Sequence, residues 1–502
     1  MKPLITPSQM RAMEQRYFTG TGTASIDLME AAARALADAI LRRWGSGLRV
    51  AVACGPGGNG GDGYACARML RAAGCDCALC PVEPPRTPDA VENRRRAVAA
   101  GIPELAPETA PDLWVDALYG TGLSRAPEGA AKALILRMNA DRAGGAKVVA
   151  ADIPSGLNGA TGAAFSPCVR ADLTLTFQFA KTGLYLADGL DVCGEIEAAD
   201  IGIPAGFHPG SMARLMDAGD ALDALPPRPR NAHKGMNGHL LIVAGSLGMA
   251  GAAALCALSA LRSGAGLVTV ACPESTVPIL QTLAPCAMCV PLPEANGAIS
   301  DAAAPVLAEA LRGKSAAVCG CGLSTRASAE AVRALLESGV PTLFDADGLN
   351  LIAAEASLKA LLRPHHLITP HPGEAARLLG RRVADPIADA FALKQLGCQA
   401  LLKGATTVIP VGETAWLSAS GCAGMAKGGS GDCLSGLAGS LMAQCAASGA
   451  AMTGEALARC AAVASELHGQ AGELAQGRLG ARGMCALDIV EALPRALAGH
   501  EG

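Results

Sequence analysis

Short apolar runs that end in glycine- or proline-bounded turns recur along the chain, spaced by longer helical stretches, and they do so in two successive series. The first comprises LRVAVACG, DCALCPV, LWVDALYG, AKVVAADIP and ADLTLTFQ, within the first two hundred residues. The second comprises GHLLIVAGS, GLVTVACP, SAAVCGCG, PTLFDADG, HHLITPHPGE, QALLKGATT and TTVIPV. Strands alternating with helices build βαβ units and a mostly parallel sheet, so each series demands an α/β layer of its own. Between them, IGIPAGFHPG and LPPRPRNAHKGMNG break the apolar periodicity with Pro, Gly and basic residues. The expected division is 1–215 and 216–502. The two series share no motif order, which indicates a fusion of two domains and not an internal repeat.

With 502 residues there is chain enough for two substantial cores. The 61 glycines and an aromatic content of only 3% suit close helix–sheet packing and tight phosphate turns. The net charge of −4, with basic and acidic residues well mixed, offers no stripe for nucleic acid or an anionic membrane. The opening MKPLITPSQMRAMEQRYFTG lacks a sustained apolar core, and no later run is long enough to span a bilayer. A cytoplasmic protein with reduced thiols is the expectation. Cys75, Cys77 and Cys80 form the tightest of the cysteine groups, but no second pair or histidines complete a metal shell, and no metal is expected there. Nothing distinguishes an interface stripe from core, which leaves homo-oligomerisation open.

Chemistry collects at the ends of the strands. After AVAC comes Gly55-Pro56-Gly57-Gly58-Asn59-Gly60-Gly61-Asp62-Gly63, followed by the helical YACARMLRAAG. A strand, glycine loop and helix start present unpaired N–H groups to an anion. Such a run also closes an ordinary βα connection, but six glycines in nine residues exceed that need. It is neither the GxGxxG nor the GxxxxGK[ST] fingerprint. Asp116 precedes Gly120-Thr121-Gly122, and Asp152 precedes Ser155-Gly156. Strand ends share one edge of a parallel sheet, so Asn59, Asp116 and Ser155 could give a hard cation its oxygens while Asp152 faces a substrate. Each aspartate alone could equally cap a helix or close a turn.

The GDG run, DALYGTGL and DIPSG together resemble the NAD(P)H-hydrate epimerase family over about the first 210 residues, a Rossmann-like, doubly wound fold. The resemblance implies that Gly58, Asn59, Gly60, Gly61, Asp62, Gly120, Thr121, Gly122, Leu123, Ser124, Arg125, Ala126 and Asp152 contact the hydrate. It also implies that Asn59, Asp116 and Ser155 hold potassium, and that Asp152 and Lys181 are catalytic. Gly58 stands where that family commonly has Asn.

In the second series, Ala426-Lys427-Gly428-Gly429-Ser430-Gly431-Asp432 opens the helical CLSGLAGSLMAQ. Successive N–H groups beside a carboxylate suit phosphoryl transfer, Asp432 taking the proton of an attacking hydroxyl; the plainer reading is an acidic residue favoured at a helix start. Gly320-Cys321-Gly322, Asp345-Ala346-Asp347-Gly348, Thr369-Pro370-His371-Pro372-Gly373-Glu374 and Lys403-Gly404-Ala405-Thr406-Thr407 again follow strands. In this order, with His233-Lys234-Gly235 and Ala244-Gly245-Ser246 before them, they resemble the nucleotide-dependent NAD(P)H-hydrate dehydratases, a ribokinase-like branch. That resemblance spans roughly residues 220–495. It implies that Ala252, Gly322, His371 and Asp432 contact the hydrate, with Asp432 catalytic. It further implies that Lys403, Gly404, Ala405, Thr406, Thr407 and Gly431 bind the nucleotide, ADP ahead of ATP, with Mg2+. The expected activity is epimerisation of the hydrates of NADH and NADPH and ADP-driven dehydration of the S form. The alternative is a ribokinase-like small-molecule kinase fused to a nucleotide-binding regulatory module.

Overall fold

The computed structural model describes residues 1–106, 109–210, 212–217, 219–220 and 227–498. Leu225 and Pro226, within the Pro-rich segment between the two series, lie outside them. The chain packs as two compact units, one of Pro3–Ala213 and one of Met1–Lys2 with Arg214–Gly502.

In the first unit, β1 (Lys2–Ile5), α1 (Pro7–Thr21) and α2 (Ser25–Trp44) precede the strands read from the sequence: β2 (Arg49–Cys54), β3 (Asp76–Pro81), β4 (Leu113–Ala117), β5 (Lys147–Ala151) and β6 (Leu173–Phe177). The two-residue β7 (Ala180–Lys181) and β8 (Glu195–Ala199) follow, and α3 (Gly58–Ala72), α4 (Pro88–Ala99) and α5 (Gly129–Ala143) connect the earlier strands. Six strands form one sheet in the order β3-β2-β4-β5-β6-β8, every neighbouring pair parallel.

Both faces of this sheet are covered, which is why its strands are apolar throughout. Val50, Val52 and Cys54 point into a core shared with Leu36, Ile40 and Leu70 of α2 and α3. Ala51 and Ala53 point the other way, into a core with Trp114, Ile135 and Met138. The chain moves outward from β2 to β3 on one side and to β4 on the other, so the crevice of a doubly wound sheet opens at the carboxyl ends of β2 and β4.

One local expectation changes. The glycine run is not a loop leading into a helix at Tyr64: α3 already begins at Gly58. Gly60 and Gly63 are required because this part of α3 lies against the β2–α3 loop and the sheet. A Cβ on Gly60 would come within 1.9 Å of the Gly55 carbonyl oxygen, and one on Gly63 within 2.6 Å of the Ala117 Cβ.

The second unit holds β9 (His239–Val243), α6 (Ala250–Arg262), β10 (Leu267–Pro273), β11 (Met288–Leu292), β12 (Ala316–Cys319), β13 (Thr342–Phe344), α7 (Ala346–Ala354), β14 (His366–Ile368), α8 (Pro372–Leu379) and β15 (Gln399–Ala400). A hairpin of β16 (Thr407–Val411) and β17 (Thr414–Ser418) follows, then α9 (Ser430–Ala447), α10 (Gly454–Gly483) and α11 (Ala486–Ala498). The seven-stranded parallel sheet runs β11-β10-β9-β12-β13-β14-β15. QALLKGATT, read as a strand, pairs in this sheet only over Gln399–Ala400, and Lys403 lies beyond its end.

α9 packs against α6 and β12 through residues without bulk. A Cβ on Gly436 would meet the Cys256 carbonyl oxygen at 2.1 Å, and one on Gly439 the Val318 Cγ2 at 2.4 Å. This close approach is what the scarcity of aromatic residues accommodates. Among the described residues, no helix is long and apolar enough to cross a membrane.

Candidate active sites

A cavity of about 480 Å³ opens in the first unit at the carboxyl ends of β2 and β4. Gly58, Asn59 and Asp62 of α3, Gly120–Leu123 and Asp152 line it, joined by Glu14 of α1. The N-terminus of α3 is capped at Gly57 by no side chain, so its first N–H groups face the cavity available to an anion.

Asp152 stands where β5 leaves the sheet, at φ 69°, the left-handed region that aspartate tolerates better than most residues. Its N–H donates to the Leu175 carbonyl at 2.8 Å, and its Oδ1 accepts from Thr176 Oγ1 at 2.9 Å and from the Phe177 N–H at 3.2 Å. The third donor to that oxygen is the Lys181 ammonium, from a side chain wholly buried behind it. Lys181 Nζ also donates to Thr176 Oγ1 at 3.1 Å and to the Phe177 carbonyl at 3.0 Å. The pairing of Ile5 on β1 with Lys181 on β7 fixes its backbone. Burial, reinforced by the Asp152 and Glu14 charges, pushes the Asp62 carboxyl well up from its usual range.

Asp116, Ser155 and Asn59 gather at the same strand ends. Asp116 Oδ2 accepts the Ser155 N–H at 2.7 Å and its Oδ1 the Ser155 hydroxyl at 2.6 Å, while Ser155 Oγ accepts the Tyr119 N–H at 2.9 Å. Asn59 lies against Gly120, where an added Cβ would be 3.5 Å from Asn59 Oδ1, and its buried Nδ2 has no protein hydrogen-bond partner. Burial raises the Asp116 carboxyl to about 6, in spite of its Ser155 hydrogen bonds.

In the second unit Asp432 occupies the first turn of α9, whose N-terminus at Gly429 (φ 94°) also carries no side-chain cap. Burial raises Asp432 to about 6; a hydrogen bond from Cys321 opposes the rise and the Asp345 charge adds to it. Lys403 Nζ binds Asp345 Oδ1 at 2.6 Å, and Glu374 Oε2 is 3.9 Å away. Burial works against the Lys403 charge, but Asp345 and Glu374 outweigh it and its pKa is raised. Ser435 Oγ donates to Asp345 Oδ2 at 2.7 Å, anchoring that carboxylate from α9. A Cβ on Gly431 would sit 3.5 Å from Lys403 Nζ, so the helix start and the ammonium are adjacent.

His371 caps α8: its Nδ1 accepts from the Gly373 N–H at 3.0 Å, and Glu374 Oε2 accepts the His371 N–H at 2.8 Å. Burial and then the Lys403 charge hold its ring below the usual histidine range, and its Nε2 lies 3.4 Å from Glu374 Oε1. Gly322, at φ 62°, would bring a Cβ within 2.9 Å of the Ala252 Cβ, which puts those two residues in contact.

The residues named from the sequence are thus largely brought together, with exceptions. Gly60 and Gly61 are buried in α3 and do not line the first cavity; neither do Ser124, Arg125 and Ala126, which lie farther along the loop. Lys181 reaches it only through Asp152. Glu14 and Ser435 were missed. Each stands in a helix outside any strand-end motif, and a carboxylate or hydroxyl in a helical stretch reads as solvated surface. Cys75, Cys77 and Cys80 are free thiols, the first two buried in the core. No group of three or more His, Cys, Asp or Glu suited to a metal occurs among the described residues.

Residues 240–495 match the family model described as NAD(P)H-hydrate dehydratase, and residues 25–183 match that of the YjeF-related protein N-terminus. The bifunctional NAD(P)H-hydrate repair enzyme of Moorella thermoacetica is 35% identical, across 99% of this chain and 97% of its own. That of Coxiella burnetii is 34% identical, across 97% and 98%. The ADP/ATP-dependent NAD(P)H-hydrate dehydratase of Bacillus subtilis, co-crystallised with ATP/Mg2+, is 27% identical at a TM-score of 0.48, covering 57% of this chain and 99% of that one. Two family models in series and relatives aligned over nearly the whole length show that this chain belongs to the family of bifunctional NAD(P)H-hydrate repair enzymes.

Proposed function

We propose that the first unit epimerises the R and S hydrates of NADH and NADPH at C6, and that the second dehydrates the S form with ADP, yielding AMP, phosphate and reduced cofactor. One observation carries this reading: in a chain of this family, each unit sets an acid–base carboxylate near an uncapped helix N-terminus. An anionic cofactor or nucleotide and a reacting hydroxyl need those two groups together.

In the first unit the N–H groups of α3 hold the substrate's phosphates, and Asp152, backed by Lys181, lies at the hemiaminal-like carbon. Asn59, Asp116 and Ser155 fit potassium: Asp116 is a buried carboxylate raised to about 6 with no cationic partner among its hydrogen bonds, and a monovalent cation would stabilise its charge with oxygens of Ser155 and Asn59 completing the donor set. When bound, the ion supplies charge that steadies the Gly120–Leu123 loop.

In the second unit Asp432 takes the proton of the C6 hydroxyl as its oxygen attacks the terminal phosphate of ADP. The N–H groups of α9 and the Lys403 ammonium stabilise the charge on the moving phosphoryl group. The ring-nitrogen lone pair then expels phosphate and C5 loses a proton. A hydroxyl that leaves poorly becomes a phosphate that leaves well. Ala252, Gly322 and His371 hold the hydrate, and Lys403–Thr407 with Gly431 hold the nucleotide. Magnesium would accompany the nucleotide and neutralise phosphate charge; Glu374, buried with Asp345 beside Lys403, would hold it. The protein works in the cytoplasm, where these cofactors are used.

The deciding experiment gives the full chain a mixture of R and S hydrate with Mg2+, K+ and ADP or ATP, and follows nicotinamide absorbance. Complete recovery of reduced cofactor is expected, faster with ADP. Conversion that stops at the S fraction removes the epimerase, and a stable phosphorylated product without absorbance change makes the second unit a kinase.

A further inference from the structure

Among the groups lining the first cavity, Glu14 is the one that no strand-end motif supplies. It lies midway along α1, a helix held firmly over the cavity. Thr6 and Gln9 form its capping box, Met10 and Met13 enter the core, and Arg11 Nη1 donates to the Thr121 carbonyl at 2.8 Å. Arg11 thus ties the helix that carries Glu14 to the Gly120–Leu123 wall.

Two of the carboxylates that line this cavity, Asp152 and Glu14, differ in what they can do. Asp152 Oδ1 already accepts from three donors, Thr176, the Phe177 N–H and Lys181, which fix its orientation. No protein hydrogen bond engages the Glu14 carboxylate among the described residues. The groups that face Glu14 are Asp152 at the end of β5, Lys181 on β7, Asp62 on α3 and Arg11 on its own helix. Burial, and then the Asp152 charge, raise its carboxyl to about 7, against the pull of Lys181 and Arg11. A group that gains and loses its proton near neutral pH is suited to serve a reaction run in both directions.

We propose that Glu14 is the acid–base residue that exchanges the proton of the substrate's C6 hydroxyl during epimerisation, while the Asp152–Lys181 pair serves the ring-nitrogen side; this rests on the epimerase reading above. In the opening step the Glu14 carboxylate takes the hydroxyl proton and the O–H electron pair forms the C6=O bond. The C6–N1 bond breaks, its pair stays on N1, and N1 receives a proton from the Lys181 ammonium through Asp152. Conjugation of N1 with the carboxamide across the ring makes it a competent leaving group. Rotation about C5–C6 presents the other carbonyl face. N1 then attacks, Glu14 returns its proton to the oxygen, and N1 returns its own to the pair. Nothing is oxidised or reduced.

The test follows loss of stereochemical purity at C6 of the isolated R hydrate by the full-length chain between about pH 5 and 9. Wild type is expected to show a rate inflection near pH 7. Glu14→Gln should lower kcat by about 100-fold or more, leave KM within about three-fold and abolish that inflection; Glu14→Asp should recover part of the rate with the inflection displaced. Glu14→Gln with kcat within about three-fold of wild type and an unchanged profile overturns the assignment. If Glu14→Gln fails to fold, Glu14→Asp decides: an unmoved inflection and an undiminished kcat overturn it. A wild-type chain that does not epimerise overturns the underlying reading, whereas an inert Asp152→Ala beside a normal Glu14→Gln overturns Glu14 alone.

Discussion

Lys181 and Asp152 form an ion pair in which the lysine is wholly buried and the aspartate, held in a left-handed backbone conformation, meets the cavity. Each partner satisfies what the other would otherwise leave as an isolated charge. Removing one is costly, since the survivor must then be carried uncompensated in the interior. Lys181→Met is expected to destabilise the first unit by about 3–5 kcal/mol and to abolish epimerisation, while dehydration of pure S hydrate continues. Chemical denaturation and separate assays of the two reactions check this. An unchanged midpoint would mean that the pair contributes little to the fold.

The glycine run makes a sharper test, because neighbouring glycines are there for different reasons. A Cβ on Gly60 would clash with backbone at 1.9 Å, and backbone cannot give way; a Cβ on Gly58 meets nothing within 4 Å. Gly60→Ala should lower stability by more than about 2 kcal/mol, through overpacking. Gly58→Ala should raise it by about 0.4–1 kcal/mol, by restricting the unfolded chain. Since Gly58 lines the cavity, Gly58→Asn is expected to fold normally and to change KM for the hydrate. Thermal unfolding of the three variants separates the roles.

How far the sequence alone reveals such distinctions follows from what each residue depends on. The strands were legible because a sheet covered on both faces requires apolar runs without alternation, as in Val50–Cys54. The polar residues just beyond strand ends were legible because a parallel sheet brings those ends to one edge, which is how Asp116, Asp152 and Lys403 stood out. The start of α3 was not, since glycine is a poor helix former, and the close packing of Gly60 and Gly63 against loop and sheet is set by elements elsewhere in the chain. Glu14 and Ser435 were not, because their importance arises from what other elements bring to them. Ser435 matters through an aspartate 90 positions away in the chain.

Asp116 combines a buried carboxylate with no cationic partner among its hydrogen bonds, at the strand ends where Ser155 holds both of its oxygens. Binding of potassium to the folded state alone should raise the unfolding midpoint as its concentration increases. The gain approaches about 2.7 kcal/mol when potassium reaches one hundred times its dissociation constant. Asp116→Asn should lose the potassium dependence while remaining folded, its amide still able to accept from Ser155. A midpoint that ignores potassium in wild type would remove the cation from this site, whatever the activity shows.

Asp432 supplies the pH dependence of the second reaction. A base must be ionised, and with its carboxyl raised to about 6 the dehydration rate is expected to climb through pH 6 and level off above it. Asp432→Asn should lose about 100-fold or more of kcat at every pH and show no such limb. Stability runs the opposite way. A carboxyl whose folded pKa is raised from 3.8 to about 6 favours the folded state most when it is protonated, and that contribution is lost as pH rises through 6. At pH 8 the wild type therefore carries a buried charge that Asp432→Asn does not, and the variant is expected to unfold at the same or a higher denaturant concentration. A variant both inactive and less stable at pH 8 would mean that Asp432 holds the start of α9 together and that the proton leaves by another route.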